Sequence, residues 1–438
     1  MIRSPASLGS ALRVRAHRHR PDPVSQRLRR LRRHAVTRSP FYARHHAGRE
    51  RAPLDELPPM TKALLLESFD DLLTDRAVHR ADLEAHLRVA EPGTPWRGGV
   101  HVAVTSGSSG PPALLAYAPS EWAALLANAV DSRAVGDAPR TGALRSARIG
   151  SPLGWHLSAQ LGSRNGPTDP ALRLSAATPL DDLVRALAAR DPERLTAYPS
   201  VLGRLADEAL AGRLAITPRQ VRAGGELLSD GVRDRVRAAW GLEVVDQYAI
   251  GEAGFLAVEC PAHDGLHVLD RHVVLEVVDA DDRPVPVGVE GDRVLLTVLS
   301  SRLVPLIRYV IEDRVTVLPG PCSCGRRSPR LRVSGRVRDV LTFPGPDGPV
   351  AVHPIVFTRV LDGLRVGDWR VTRRAEDIRV AVAGAGADLD DGALAAAVRA
   401  SLAEVLRNPP PVVVDRVTAI DPAPGGKASR VVDELTEG

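Results

Sequence analysis

Thr105-Ser106-Gly107-Ser108-Ser109-Gly110-Pro111-Pro112 follows directly on the apolar run Val100–Val104 and precedes a helical pattern, Ser120–Val135. Strand, small-residue loop and helix in that order point to an α/β layer. Small residues let backbone N–H groups approach an anion closely, and the hydroxyls add donors, as a phosphate cradle requires. The loop lacks the Gly-Lys-Ser/Thr ending of an NTPase P-loop. Taken alone, a Gly/Ser/Pro cluster reads more readily as a plain loop. Further along, helical patterns at Leu202–Leu210 and Ser229–Trp240 alternate with short apolar runs, as far as a buried strand at Leu242–Tyr248. From Val268 to Val317 strand follows strand, with Val273–Val278 and Val294–Val298 separated by Pro/Gly turns. After Gly335 come strand Val350–Val352, helix Leu394–Leu406 and strand Val412–Asp415. The expected architecture is therefore α/β. A large N-terminal domain (1–335) has layered sheets and helices, with a helical, basic lead-in at 1–60 and a β-rich subdomain at 260–330. A small, mobile α+β C-terminal domain (336–438) completes it.

Composition narrows the class. At ~100–200 residues per domain, 438 residues suit two or three domains. With 44% apolar and 25% charged residues the chain can bury a core. No run of 18 apolar residues is present, so no membrane span is expected. No apolar h-region follows the N-terminal arginines, and a reducing cytoplasm is the expected location. Residues 1–51 carry fourteen Arg against Asp22 and Glu50, so the net +5 of the whole chain is very uneven. Val24, Leu28, Leu31 and Ala35 fall at helical spacing between those arginines, which predicts a docked helix ending at Ser39-Pro40. No aromatic residues interleave the charges, so no nucleic-acid partner is expected.

Two counts stand out. Only two of the 58 basic residues are lysines, Lys62 and Lys427, and there are three cysteines, Cys260, Cys322 and Cys324. An odd set of three excludes a complete disulfide framework. The cysteines share the β-rich stretch with His263 and His267, and three thiolates with one imidazole satisfy a tetrahedral zinc ion. Cys-Ser-Cys at 322–324 leaves no open coordination position, so the site reads as structural.

Other segments carry chemistry. Gly224-Gly225-Glu226 precedes a helix, and a Gly pair at a crevice rim leaves room for a flat ring. Asp246-Gln247-Tyr248-Ala249-Ile250-Gly251-Glu252 ends a strand, where a carboxylate is placed to hold Mg²⁺ between phosphates. In Arg308-Tyr309-Val310-Ile311-Glu312-Asp313 an Asp after an apolar strand can accept two ribose hydroxyls. Gly335-Arg336-Val337-Arg338 follows, and Gly425-Gly426-Lys427 places a lysine on a tight glycine loop.

In this order and spacing the segments resemble the adenylate-forming (acyl-activating) superfamily, in its phenylacetate–CoA ligase-like branch. Ser39-Pro40-Phe41-Tyr42 and Leu57-Pro58-Pro59-Met60-Thr61-Lys62 are similar to that branch's lead-in segment. The resemblance implies that Thr105, Ser106, Gly107, Ser108, Ser109, Gly110, Gly225, Glu226, Tyr248 and Asp313 bind the nucleotide. It also implies that Glu252 holds Mg²⁺ and that Lys427, Glu252 and Arg336 are catalytic. Arg338 falls at the hinge, and Trp155, His156 and Tyr198 line the acid pocket. Among the two histidines the family context favours His267 over His263 as zinc ligand. The expected reaction is ATP-dependent activation of an aryl or other small carboxylic acid to an acyl-adenylate. Transfer to CoA, or to another thiol or an amine in specialised metabolism, then follows. The partners are thus small molecules, with a homodimer left open. Three positions depart from the family pattern: Arg338 stands where the hinge usually has Asp or Lys, Pro111 where the loop lysine is usual, and Gly251 where a hydroxyl residue is usual. The last two define the rival expectation, a non-catalytic nucleotide- or acyl-binding homologue acting through a protein partner.

Overall fold

The computed structural model describes residues 23–105, 112–137, 144–162, 171–336, 341–344, 349–352, 354–361, 364, 366, 368–386, 389–421 and 430–435. The chain forms two compact units. One comprises Met1–Thr141, Leu153–Arg164 and Gln247–Val333, and the other Gly142–Pro152, Asn165–Asp246 and Ser334–Gly438.

In the first unit the arginine-rich segment is a helix, Pro23–Arg38. Leu31 and Ala35 are fully buried, and Val24 and Leu28 pack against the same core. The apolar stripe read from the sequence docks as expected, with arginines on the other face. Ser39 Oγ accepts from Tyr42 N and opens the next helix, Pro40–His45, with proline in its first turn. The Pro58-Pro59 segment delivers Met60, whose N donates to Arg308 O at 2.9 Å and whose carbonyl accepts from Val310 N at 2.9 Å. Strands His101–Val104 and Leu114–Tyr117 pair antiparallel around the small-residue loop. Helix Pro119–Gly136 follows, one residue longer at each end than the expected Ser120–Val135.

A three-stranded antiparallel sheet, Val273–Val278, Arg293–Val298 and Tyr309–Ile311, forms the middle of the β-rich stretch. Every residue of Val273–Val278 is buried, the signature of a strand covered on both faces. Within it lies an ion pair: Arg308 Nε meets Glu276 Oε2 at 3.3 Å, with side chains 3% and 2% exposed. Arg308 also donates to the Leu57 carbonyl and adopts a left-handed backbone, φ 52°. One side chain therefore ties the lead-in segment to the sheet.

In the second unit, strands Gln220–Gly224, Arg194–Ala197, Ser146–Gly150 and Leu172–Ser175 lie side by side, all parallel. Helices Leu180–Arg190, Pro199–Leu210 and Asp230–Trp240 cover them through Leu187, Leu202 and Val236. Ser229 caps the last of these, and Gly241, at φ 66°, ends it. Strand Val244–Ile250 runs on from it toward the Glu252 turn.

The C-terminal residues fold around their own core of Phe357, Trp369, Val380 and Val398. Strand order there is Val412–Val417, Ile378–Ala383, Asp368–Arg373, Val431–Asp433, parallel at both edges and antiparallel at the centre. The helix expected at Leu394–Leu406 runs from Asp391 to Ala403, because Asp390 accepts from Ala393 N and starts it a turn earlier.

Removing one partner of a buried pair strands the other charge. Glu276→Leu is expected to lower unfolding free energy by about 3–5 kcal/mol, read from denaturant melts, well above an exposed control such as Glu84→Ala.

Candidate nucleotide and acid site, and a candidate metal centre

The first unit brings together Thr105, Trp155, His156, Tyr248, Glu252 and Asp313. Thr105 closes the base of the loop: its N donates to Ala113 O at 2.9 Å, and its Oγ1 accepts from Ala113 N at 2.8 Å. Trp155 supports the same base from behind, its carbonyl accepting from Val104 N at 3.0 Å. His156 is buried beside it, with its N on Leu153 O at 3.0 Å. Tyr248 donates its hydroxyl to Asp313 Oδ2 at 2.7 Å, joining two expected nucleotide residues 65 positions apart.

Glu252 is held by two residues the motif reading passed over. Tyr309 donates to its Oε1 at 3.0 Å, and Tyr117 donates to its backbone carbonyl at 3.1 Å. A small cavity runs beneath it, lined by Leu115, Tyr117, Glu121, Leu125, Glu252 and Leu306. Glu121 was also missed, since a Glu in the first turn of a helix reads as solvent-facing. It is 3% exposed. Its carboxylate accepts from Ala118 N at 2.8 Å, from Leu303 N at 3.2 Å and from Arg302 N. Burial pushes its carboxyl up from 4.5 to about 7, against the backbone donors that favour the charged form. The scarcity of tyrosine, five in 438 residues, was the sequence signal that could have drawn attention to Tyr117 and Tyr309.

The second unit holds Tyr198, Gly225, Glu226 and Arg336. Glu226 is a helix cap: its oxygens accept from Ser200 N at 3.0 Å and Ser200 Oγ at 3.1 Å, at the start of Pro199–Leu210. Tyr198, the residue before that helix, is thereby set in place. Burial, and next the Glu226 charge, push its hydroxyl well up. Gly225 has φ 87°, a conformation glycine adopts without strain. Arg336 is the last residue of the strand Arg330–Arg336. Ser106, Gly107, Ser108, Ser109, Gly110, Arg338 and Lys427 lie outside the described residues.

The three cysteines converge. Ligand atoms of Cys260, His267, Cys322 and Cys324 all lie within 4.8 Å of one another, three of the residues buried and Cys324 exposed. Cys260 Sγ and Cys322 Sγ are 3.7 Å apart, close to the ~3.8 Å edge of a tetrahedron with 2.3 Å zinc–sulfur bonds. Cys324 Sγ lies 3.3 Å from His267 Nε2, while His267 Nδ1 meets Ser328 Oγ at 3.1 Å. That second contact orients the ring as ligating histidines require. His263 is turned instead to Glu259, Nδ1 to Oε2 at 3.1 Å. Burial pushes the Cys260 thiol up to about 12. A thiolate there is stable only beside a cation.

No family profile matches the chain. It is 26% identical over 352 residues to the phenylacetate–CoA ligase of Thermus thermophilus, spanning 77% of this chain and 74% of that one. It is 25% identical over 335 residues to the Escherichia coli enzyme of the same name, 73% and 72% of the two chains. Among solved structures, 2-hydroxyisobutyryl–CoA ligase in its postadenylation state with 2-HIB-AMP superposes with a TM-score of 0.69. That match is 21% identical and covers 94% of this chain and 89% of that one. An anthranilate–CoA ligase with anthranoyl-AMP gives 0.54 at 16% identity, over 76% and 66%. The fold is that of the adenylate-forming ligases, and in sequence the chain is similar to phenylacetate–CoA ligases.

Glu121 yields a pH signature. Its folded value is raised, so between about pH 4.5 and 7 the unfolded chain has lost a proton that the native one keeps. Stability should therefore fall as pH rises through that window, by on the order of 3 kcal/mol, and level off above it. Melts across pH 4.5–8 should show this component in the parent and lose it in Glu121→Gln.

Proposed function

We propose that this protein activates a small organic acid, aryl acids foremost, with ATP. The acid carboxylate attacks the α-phosphate, giving an acyl-adenylate and pyrophosphate, and CoA then takes the acyl group as a thioester. The observation that carries the reading is the Tyr248–Asp313 pair beside Glu252, within the fold of relatives that are themselves CoA ligases.

Asp313 would accept the ribose hydroxyls, and Thr105 to Gly110 would wrap the phosphates with backbone donors. Mg²⁺, held by Glu252, would supply positive charge that offsets the phosphate oxygens. Lys427 brings a compact ammonium to the reacting carboxylate and α-phosphate, where arginine's broad fork is no substitute. Arg336 adds charge on the phosphate side. Gly225 and Glu226 would contact the nucleotide, and Trp155, His156 and Tyr198 the acid. The domain carrying Lys427 begins at 336, supported by the separate core behind Trp369, and Arg338 is its hinge. Reaction by positioning and electrostatics needs no covalent nucleophile. A reducing cytoplasm suits the thiols.

Zinc is proposed at Cys260, His267, Cys322 and Cys324, where it would staple the Cys322–Cys324 turn to the neighbouring strand. Elemental analysis should find one zinc per chain, lost in Cys322→Ser together with stability, because metal binding is folding energy. A metal-free chain of full stability would refute it.

ATP–pyrophosphate exchange across aromatic and aliphatic acids tests the main reading. Exchange with at least one acid is expected. Lys427→Ala should lower its rate by about 10²–10³-fold, the scale for removing one group aimed at transition-state charge. No exchange with any acid, and no effect of Lys427→Ala, would sink it.

A further inference from the structure

Four of the five tyrosines lie in the first unit, and each gives its hydroxyl to one small region. Tyr42 donates to Pro305 O at 2.9 Å and accepts from Ile307 N at 3.2 Å, fixing the turn before Arg308. Tyr309 follows that turn and reaches Glu252 Oε1 at 3.0 Å. Tyr117, on the strand that leaves the small-residue loop, holds Glu252 O at 3.1 Å. Tyr248 holds Asp313 at 2.7 Å. In a chain with only 3% aromatic residues this concentration is not demanded by packing.

A Glu side chain has three rotatable bonds, and a half-buried one at a turn does not choose a rotamer unaided. Glu252 sits at such a turn, with its neighbour Gly251 close to Thr105: a Cβ added at 251 would stand 3.3 Å from Thr105 Cγ2. No side-chain hydroxyl at 251 is present to help. The Tyr309 hydroxyl engages one carboxylate oxygen, and among the described residues no hydrogen bond engages the other.

We propose that Tyr309 is a positioning residue for the divalent cation of the ATP complex: its hydroxyl fixes the Glu252 carboxylate so that the second oxygen is presented to the metal. The inference rests on the ligase reading only for the identity of the nucleotide. Outer partners of ligating carboxylates are typically worth ten- to a hundredfold in metal affinity.

The test is binding of Mn²⁺·ATP to the full-length protein, followed by water-proton relaxation, beside binding of ATP in excess chelator. Tyr309→Phe should weaken Mn²⁺·ATP about tenfold and leave metal-free ATP unchanged, with a melting temperature within a few degrees of the parent. In the exchange assay the Mg²⁺ needed for half-maximal rate should rise by more than the limiting rate falls. Tyr117→Phe loses a bond to the backbone only and should weaken Mn²⁺·ATP by less. Equal Mn²⁺·ATP binding by Tyr309→Phe and parent overturns the proposal, as does an equal loss in Tyr117→Phe. A parent that binds Mn²⁺·ATP in a Tyr309-dependent way, yet exchanges pyrophosphate with no acid, upholds the positioning role while the ligase reading falls.

Discussion

The buried contact of Arg308 with Glu276 sets the geometry from which the first unit's site is built. Two charges removed from water are costly to hold together, and they persist where the surroundings satisfy them. Here the guanidinium also takes the Leu57 carbonyl, and the Arg308 backbone N donates to Thr297 Oγ1 at 3.0 Å. That set of bonds holds a non-glycine residue at φ 52°. The turn so fixed starts the strand Tyr309–Ile311, from which Tyr309 reaches Glu252, and the next strand, Asp313–Leu318, opens on the Asp313 that meets Tyr248. Slippage of Tyr309–Ile311 by one residue would send the Tyr309 side chain to the opposite face. The lead-in segment, the sheet and the site are therefore one mechanical unit.

Much of the fold was legible because burial was extreme. Val273–Val278, buried throughout, read as a strand with its ends in the right places. The arginine-rich helix was legible from four apolar residues at helical spacing, despite its charge. Ends set by side-chain caps were read less well, as with Asp390, whose carboxylate outweighs the apolar pattern that begins at Leu394. In the site, Tyr248, Glu252 and Asp313 were readable as motif residues. Their supports were not, because Tyr117 and Tyr309 meet Glu252 across 135 and 57 positions. No local spacing encodes such pairs. Composition did hint at them, by how few tyrosines there are to place. Glu121 was hidden for another reason: its partners are backbone N–H groups of a distant turn, which no residue type announces.

Two expected nucleotide residues take on a further meaning. Glu226 caps the helix behind Tyr198, so the segment expected at the nucleotide also sets the wall expected at the acid. Thr105 spends its hydroxyl on closing the loop base, while its methyl lies against Gly251. The hydroxyl residue usual at 251 is absent, and its space is partly taken. In the proposed reaction, charge handling would then rest more heavily on Glu252, which raises the demand on how that carboxylate is held. The cysteine and histidine cluster shows the same economy: the chain's three thiols, scattered over 64 positions from 260 to 324, end at one point.

The central claim is that the acid's own oxygen bonds to the α-phosphorus of ATP. Turnover of a carboxylate labelled with oxygen-18, with ATP and CoA, tests this directly by mass spectrometry of the products. The account predicts AMP carrying one labelled oxygen, alongside unlabelled pyrophosphate. Unlabelled AMP, or label appearing in inorganic phosphate with ADP as co-product, would contradict it.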